Sequence, residues 1–175
     1  VDDFVTPRRQ SRRDAEGAGG GFRTEVREVR VGEAKGGTVM KLYCFGESGN
    51  AYKCALALEM AGLEWEPVFV DFFKGEARSR EFRTVNARGE VPVRVYGELT
   101  LSQSGVILDY VSSKTGKLGG RSAAERREIL RWLFWDNHKL STTIGTTRFL
   151  LNFLPPEKRP EGVVPFLQGR LKAPY

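Results

Sequence analysis

The chain has 175 residues, 40% of them hydrophobic, and a formal net charge of +6. Those values fit a globular protein of one domain or one and a half, and no apolar run reaches the length of a membrane span, so a transmembrane helix is excluded. The positive excess sits in residues 119–175, with ten Lys/Arg against five Asp/Glu; with no motif for groove or single-strand recognition it reads as a solvated helix face, and no nucleic-acid partner is expected.

Residues 1–38 mix charge, glycine and serine with few apolar side chains and read as a disordered extension. They lack the apolar region of a secretory signal, and their acidic residues do not suit a transit peptide. The alternative is that they are translated leader ahead of a natural start at Met40.

The first organised unit is expected over 39–115. Val39 to Phe45 reads as a strand. Glu47-Ser48-Gly49-Asn50 carries turn and cap chemistry, and Ala51 to Ala61 has helical spacing. A strand entering a helix through such a turn aims backbone N–H groups and the positive helix end at one spot. That spot suits a phosphate, a carboxylate or a thiolate. Trp65 to Phe73 reads as a second strand, which completes a βαβ unit with parallel strands. Lys74 to Arg80 reads as an exposed loop, Glu81 to Val85 as a helical turn and Asn86 to Gly89 as a turn. Pro92 opens a strand, where a cis bond fits the tight entry. Gly97-Glu98 marks a hairpin between Val93–Tyr96 and Leu99–Leu101, and Ser102-Gln103-Ser104-Gly105 opens a helix.

Residues 116–121 read as a linker. Ser122 and Glu125 make a capping box that starts a long helix in an all-α unit, 122–175. Ile129, Leu130, Leu133, Phe134, Asn137 and Leu140 recur at helical spacing, and Trp132 and Trp135 widen the stripe. Gly145 and the threonines around it weaken the second half. Pro155-Pro156 breaks the helix, and Gly162 to Leu171 begins another.

Cys44 and Cys54 form neither a disulfide framework nor a CxxC motif. They read as two small buried hydrophobes, which fits a reducing, cytoplasmic compartment. With the single His138 they do not amount to a zinc ligand set, so no metal is expected.

Three stretches in order resemble the glutathione S-transferase family. Ser48-Gly49-Asn50-Ala51-Tyr52-Lys53 is similar to its first strand–helix junction, in the form found in the bacterial nu class. Asn86-Ala87-Arg88-Gly89-Glu90-Val91-Pro92 resembles its loop before a cis-proline, although Glu90 stands where a basic or apolar residue is usual. Leu101-Ser102-Gln103-Ser104-Gly105-Val106-Ile107 resembles its Glu/Gln-Ser helix start.

The resemblance implies an α/β thioredoxin-like domain (βαβ-ββα) followed by a partial all-α domain, because the family's helical domain has more helices than these residues supply. It also implies glutathione as cosubstrate, a small-molecule electrophile or disulfide as partner, and a homodimer. Ser48 and Asn50 would favour the glutathione thiolate. Val91 and Pro92 would pair with the cysteinyl backbone, Gln103 and Ser104 would hold the γ-glutamyl carboxylate, and Lys53 would reach the glycyl carboxylate. Trp135 and His138 would border the electrophile pocket. From spacing alone, Ser48, Asn50, Gln103 and Ser104 are turn and cap residues, Pro92 a strand entry, and Lys53 and His138 solvated helix residues. A non-catalytic binding module and an inactive truncated fragment are the alternatives to an enzyme.

Overall fold

A computed structural model describes residues 39–172; the extension expected at 1–38 lies outside the described residues. Strand β1 (Met40–Cys44) alternates as a half-buried strand should. Met40 and Leu42 pack to one side, Lys41 is exposed, and Tyr43 packs to the other. Helix α1 (Gly49–Ala61) begins where Ser48 Oγ accepts the Ala51 N–H at 3.1 Å and ends at Gly62, whose φ of 71° suits a residue without Cβ. Strand β2 (Trp65–Phe69) runs parallel to β1. After the short helix α2 (Arg80–Val85), strand β3 (Val93–Tyr96) runs antiparallel to β1 and forms a hairpin with β4 (Leu99–Ser102). The sheet order is β2-β1-β3-β4.

Helix α3 (Ser104–Thr115) returns beside α1. The core on that face of the sheet joins Met40 and Leu42 to Cys54, Leu58, Ile107 and Val111. On the opposite face Phe82 of α2 packs with Val70, Ala77 and Val93. This is the expected thioredoxin-like sandwich, and an all-helical region follows it. Helix α4 (Ala123–Trp135) opens on the Ser122–Glu125 capping box, then come a π-helical turn (Asp136–Ser141), α5 (Thr142–Asn152) and α6 (Val163–Lys172).

Three expectations change. The second strand stops at Phe69 instead of Phe73: Val70 still bonds Cys44 O at 2.8 Å, but Phe72 N turns back to Val70 O. Aromatic packing draws the chain away, with Phe72 stacked on Phe45 at 4.8 Å and Phe73 on Phe153 at 4.4 Å. The loop at 74–80 contains a 3-10 turn, Glu76–Arg78, that buries Ala77. The long helix does not keep one apolar stripe. Phe134 is 70% exposed, whereas Thr143 and Thr147 are buried, with Thr147 Oγ1 donating to Thr143 O at 2.8 Å. The π turn adds residues to the helical path and so shifts the phase after it, at Thr143 and Thr147, whereas Phe134 precedes it within α4.

Arg94 is the unexpected core residue. It lies opposite Leu42 and Leu101 across the two ladders, hence on the α1–α3 face, and is 2% exposed. Its Nε reaches Met40 Sδ at 3.4 Å, its Cζ lies 4.5 Å from the Tyr110 ring centroid, and its Nη1 has no hydrogen-bond partner. Burial pulls its pKa below the usual arginine value. A buried cation with an orphaned donor and no carboxylate partner costs stability. Arg94→Met should therefore raise the unfolding free energy by about 1–3 kcal/mol in urea titrations. A loss of stability would show that the ring contacts outweigh the desolvation.

Candidate functional site

A cleft of about 330 Å³ opens where the N-terminal ends of α1 and α3 approach each other. Asn50, Val91, Pro92, Gln103 and Ser104, which sequence reasoning proposed, come to it from three separate segments. Ser48 sits two residues before Asn50 as the cap of α1. Its oxygen is the acceptor for Ala51 N–H, and a hydroxyl in that role still carries a hydrogen to donate.

The Val91-Pro92 peptide is cis. Val91 precedes the paired part of β3, whose ladder begins at Val93 opposite Ser102. Gln103 has φ 70° and ψ 117°, backbone values that cost a residue with a Cβ about 1–3 kcal/mol. Its carbonyl accepts from Val106 and Ile107 at 3.0 and 3.1 Å, and its side-chain Nε2 donates to Glu90 Oε2 at 3.0 Å. The helix start thus holds Gln103 at both its carbonyl and its side chain.

Ser104 is buried, and its Oγ lies 3.3 Å from Asn50 Oδ1 and 3.2 Å from Asn137 Oδ1. A hydroxyl has one hydrogen, so it donates to one of these at a time. Asn137 Oδ1 also accepts from Lys53 Nζ at 3.0 Å, and Lys53 forms an ion pair with Asp136. Asp136 is braced by Ser141 Oγ at 2.8 Å. Lys53, Asp136 and Asn137 therefore join α1 to the π turn, and the Ser104 hydroxyl links α3 to either Asn137 or Asn50.

Lys53 is thus neither solvated nor at the cleft; its ammonium is engaged by Asp136 and Asn137. Trp135 and His138 are not among the cleft's lining residues. Trp135 packs edge-on against Trp132 at 5.5 Å, and His138 is exposed. The π turn presents Asn137, between them, and Thr142 follows at the start of α5. Asn137 had a signal: it is the polar member of an otherwise apolar spacing. Phe45, Phe72, Glu90 and Thr142 complete the lining without one. Arg148 on α5 donates to Glu47 O at 3.2 Å, just ahead of Ser48, and nothing local in the sequence marks it. A second cavity, about 280 Å³, lies between α3 and α4 against Leu108, Leu118, Ile129 and Leu133, apart from all of these residues.

Neither protein thiol suits a nucleophile. Burial raises the pKa of both, and that of Cys54 reaches about 12 against a small opposing effect of Lys53. A reactive sulfur at this cleft has to come from a ligand. Among the described residues no group of His, Cys, Asp and Glu is arranged to hold a metal, and no helix is long and apolar enough to cross a membrane.

Residues 38–113 match the family model "Glutathione S-transferase, N-terminal domain". Residues 38–113 are therefore a glutathione S-transferase N-terminal domain. The chain is 40% identical over 75 residues to glutathione S-transferase 1 of Dianthus caryophyllus, covering 43% of this chain and 34% of that one. It is 34% identical over 108 residues to the disulfide-bond oxidoreductase YfcG of Escherichia coli, covering 58% and 50%. Among solved structures, a glutathione transferase family member from Pseudomonas fluorescens with two glutathione bound superposes with a TM-score of 0.68 at 25% identity, over 77% of this chain and 61% of that one. The chain spans between a third and a half of the length of these two curated relatives.

The network makes a measurable claim about coupling. Lys53 and Asp136 have side chains 21% and 25% exposed, between the surface and buried regimes for ion pairs. A double-mutant cycle of Lys53→Met and Asp136→Asn should give a coupling of about 1–2 kcal/mol in urea unfolding. Coupling near zero would remove the pair as a structural tie.

Proposed function

We propose that the chain supplies the glutathione-activating site of a glutathione transferase. Its cleft receives the tripeptide, and Ser48 stabilises the thiolate for conjugation to an electrophile or for glutathione-dependent reduction of a disulfide or peroxide. The observation that carries this reading is the convergence of Asn50, the Val91–cis-Pro92 step and the Gln103-Ser104 helix start on one cleft. Glutathione has the matching parts. Its cysteinyl backbone pairs with the free edge at Val91 as an added strand. Its γ-glutamyl carboxylate sits at the N-terminus of α3 beside Ser104. Its sulfur then lies toward the N-terminus of α1, where Ser48 donates the hydrogen that capping leaves free.

The energetic requirement is modest. A free thiol has a pKa of about 8.5, and a charge-assisted hydrogen bond stabilises the thiolate by about 1.5–3 kcal/mol. That lowers the pKa by about one to two units, enough to make thiolate abundant near neutrality. The reductive branch has its own support in the likeness to a disulfide-bond oxidoreductase. With both protein thiols held protonated, the electrons in that branch come from glutathione sulfur. The thiolate attacks the disulfide, one sulfur leaves as thiol, and a second glutathione completes the exchange.

The test is Ser48→Ala, assayed for glutathione conjugation to an aryl halide and for reduction of a small disulfide. The variant should lose about 10- to 100-fold in kcat/KM, and its pH–rate profile should shift upward by about one to two units, with little change in glutathione affinity. Unchanged rates and an unshifted profile would take the thiolate role away from Ser48.

A further inference from the structure

Among the described residues that line the cleft, Glu90 is the one with a charged side chain. Its position is set from three sides. Gly89, at φ 66°, brings the backbone so close to the 3-10 turn that a Cβ there would meet Ala77 O at 2.7 Å. Buried Asn86 donates from Nδ2 to Glu90 O at 2.8 Å. The Glu90 carboxylate then accepts Gln103 Nε2 at 3.0 Å. A carboxylate offers about four lone-pair sites, and Gln103 is neutral, so most of the acceptor capacity and the whole charge remain for a ligand. Among the described residues Glu90 forms no ion pair, and Lys53, the lysine nearest in sequence to the α1 start, is held by Asp136 and Asn137.

The cleft therefore sets a carboxylate beside a helix N-terminus that attracts anions. A ligand carrying only negative charge gains at α3 and loses at Glu90. A ligand with a carboxylate and an ammonium on the same carbon satisfies both. We propose that Glu90 is the counter-ion for the α-ammonium of the γ-glutamyl group, with the α-carboxylate of that group at Ser104. The glutamine at 103 then relays position while the glutamate at 90 supplies charge. The assignment rests on the glutathione reading above, and it makes the site selective for a free α-amino acid head.

The experiment is isothermal titration of the protein, Glu90→Gln and Glu90→Asp with glutathione and with glutaryl-cysteinylglycine, which lacks only the amine. The unsubstituted protein should prefer glutathione by about 5- to 20-fold, reflecting one charge-assisted contact in a solvent-exposed setting. Glu90→Gln, which keeps an acceptor for Gln103, should cut that preference to about twofold or less, and Glu90→Asp should retain part of it. If Glu90→Gln weakens both ligands equally, Glu90 is a positioning residue and the counter-ion assignment falls while the glutathione reading stands. If the unsubstituted protein binds both ligands equally, the assignment falls alone. Binding of neither ligand overturns the assignment together with the glutathione reading.

Discussion

Lys53 reaches from α1 to Asp136 and Asn137 of the π turn, and Asn137 in turn meets Ser104 at the start of α3. Two walls of the cleft depend on this tie, because Asn137 and Thr142 come from the helical region while Asn50, Val91, Pro92 and Ser104 come from the sheet-containing part. An ordinary α-helix through residues 136–141 would rotate Asn137 and Asp136 relative to one another and to α4. The π turn sets their phase, and Ser141 locks Asp136 within it. π turns recur at functional sites because a widened turn re-aims side chains without breaking the helix.

The electrostatics of the cleft run on dipoles and hydrogen bonds more than on cations. Two helix N-termini, each in a helix long enough to carry a macrodipole, approach each other, with Ser104 lining the cleft and Ser48 capping α1 outside its lining. Lysine, which would otherwise be the natural anion partner, is spent on holding the scaffold. On the proposed reading, these fixed, preorganised donors are what would favour a thiolate and a carboxylate. The aromatic group of Phe45, Phe72, Phe73 and Phe153 closes the side beyond β1 and β2 and ties α5 to the sheet.

Much of the fold was legible because local signals agreed with tertiary packing. The Ser48 cap, the Gly97-Glu98 hairpin and the Ser122–Glu125 box each act within a few residues, so sequence spacing is enough to see them. The second strand was misread at Phe72 and Phe73 because strand propensity is blind to an aromatic partner as distant as Phe153. The stripe failed beyond residue 135 for another reason: helical spacing assumes 3.6 residues per turn, and the π turn breaks that count ahead of Thr143 and Thr147. At the site, Asn50, Pro92 and Ser104 announce themselves through turn, proline and cap chemistry. Asp136 and Glu90 do not, because their roles arise from partners 83 and 13 residues away. Arg94 runs against every local rule for a central strand, and its burial follows from its register opposite Leu42 alone.

The most direct measurement is a thermal melt of this chain with and without millimolar glutathione. A ligand that binds only the folded cleft stabilises it by mass action, by about 1.4 kcal/mol at ten times Kd. The account predicts a cooperative transition that moves upward by about 3–6 °C under those conditions. A cooperative transition that glutathione leaves in place would contradict it, since the cleft would then be formed and still not recognise the tripeptide.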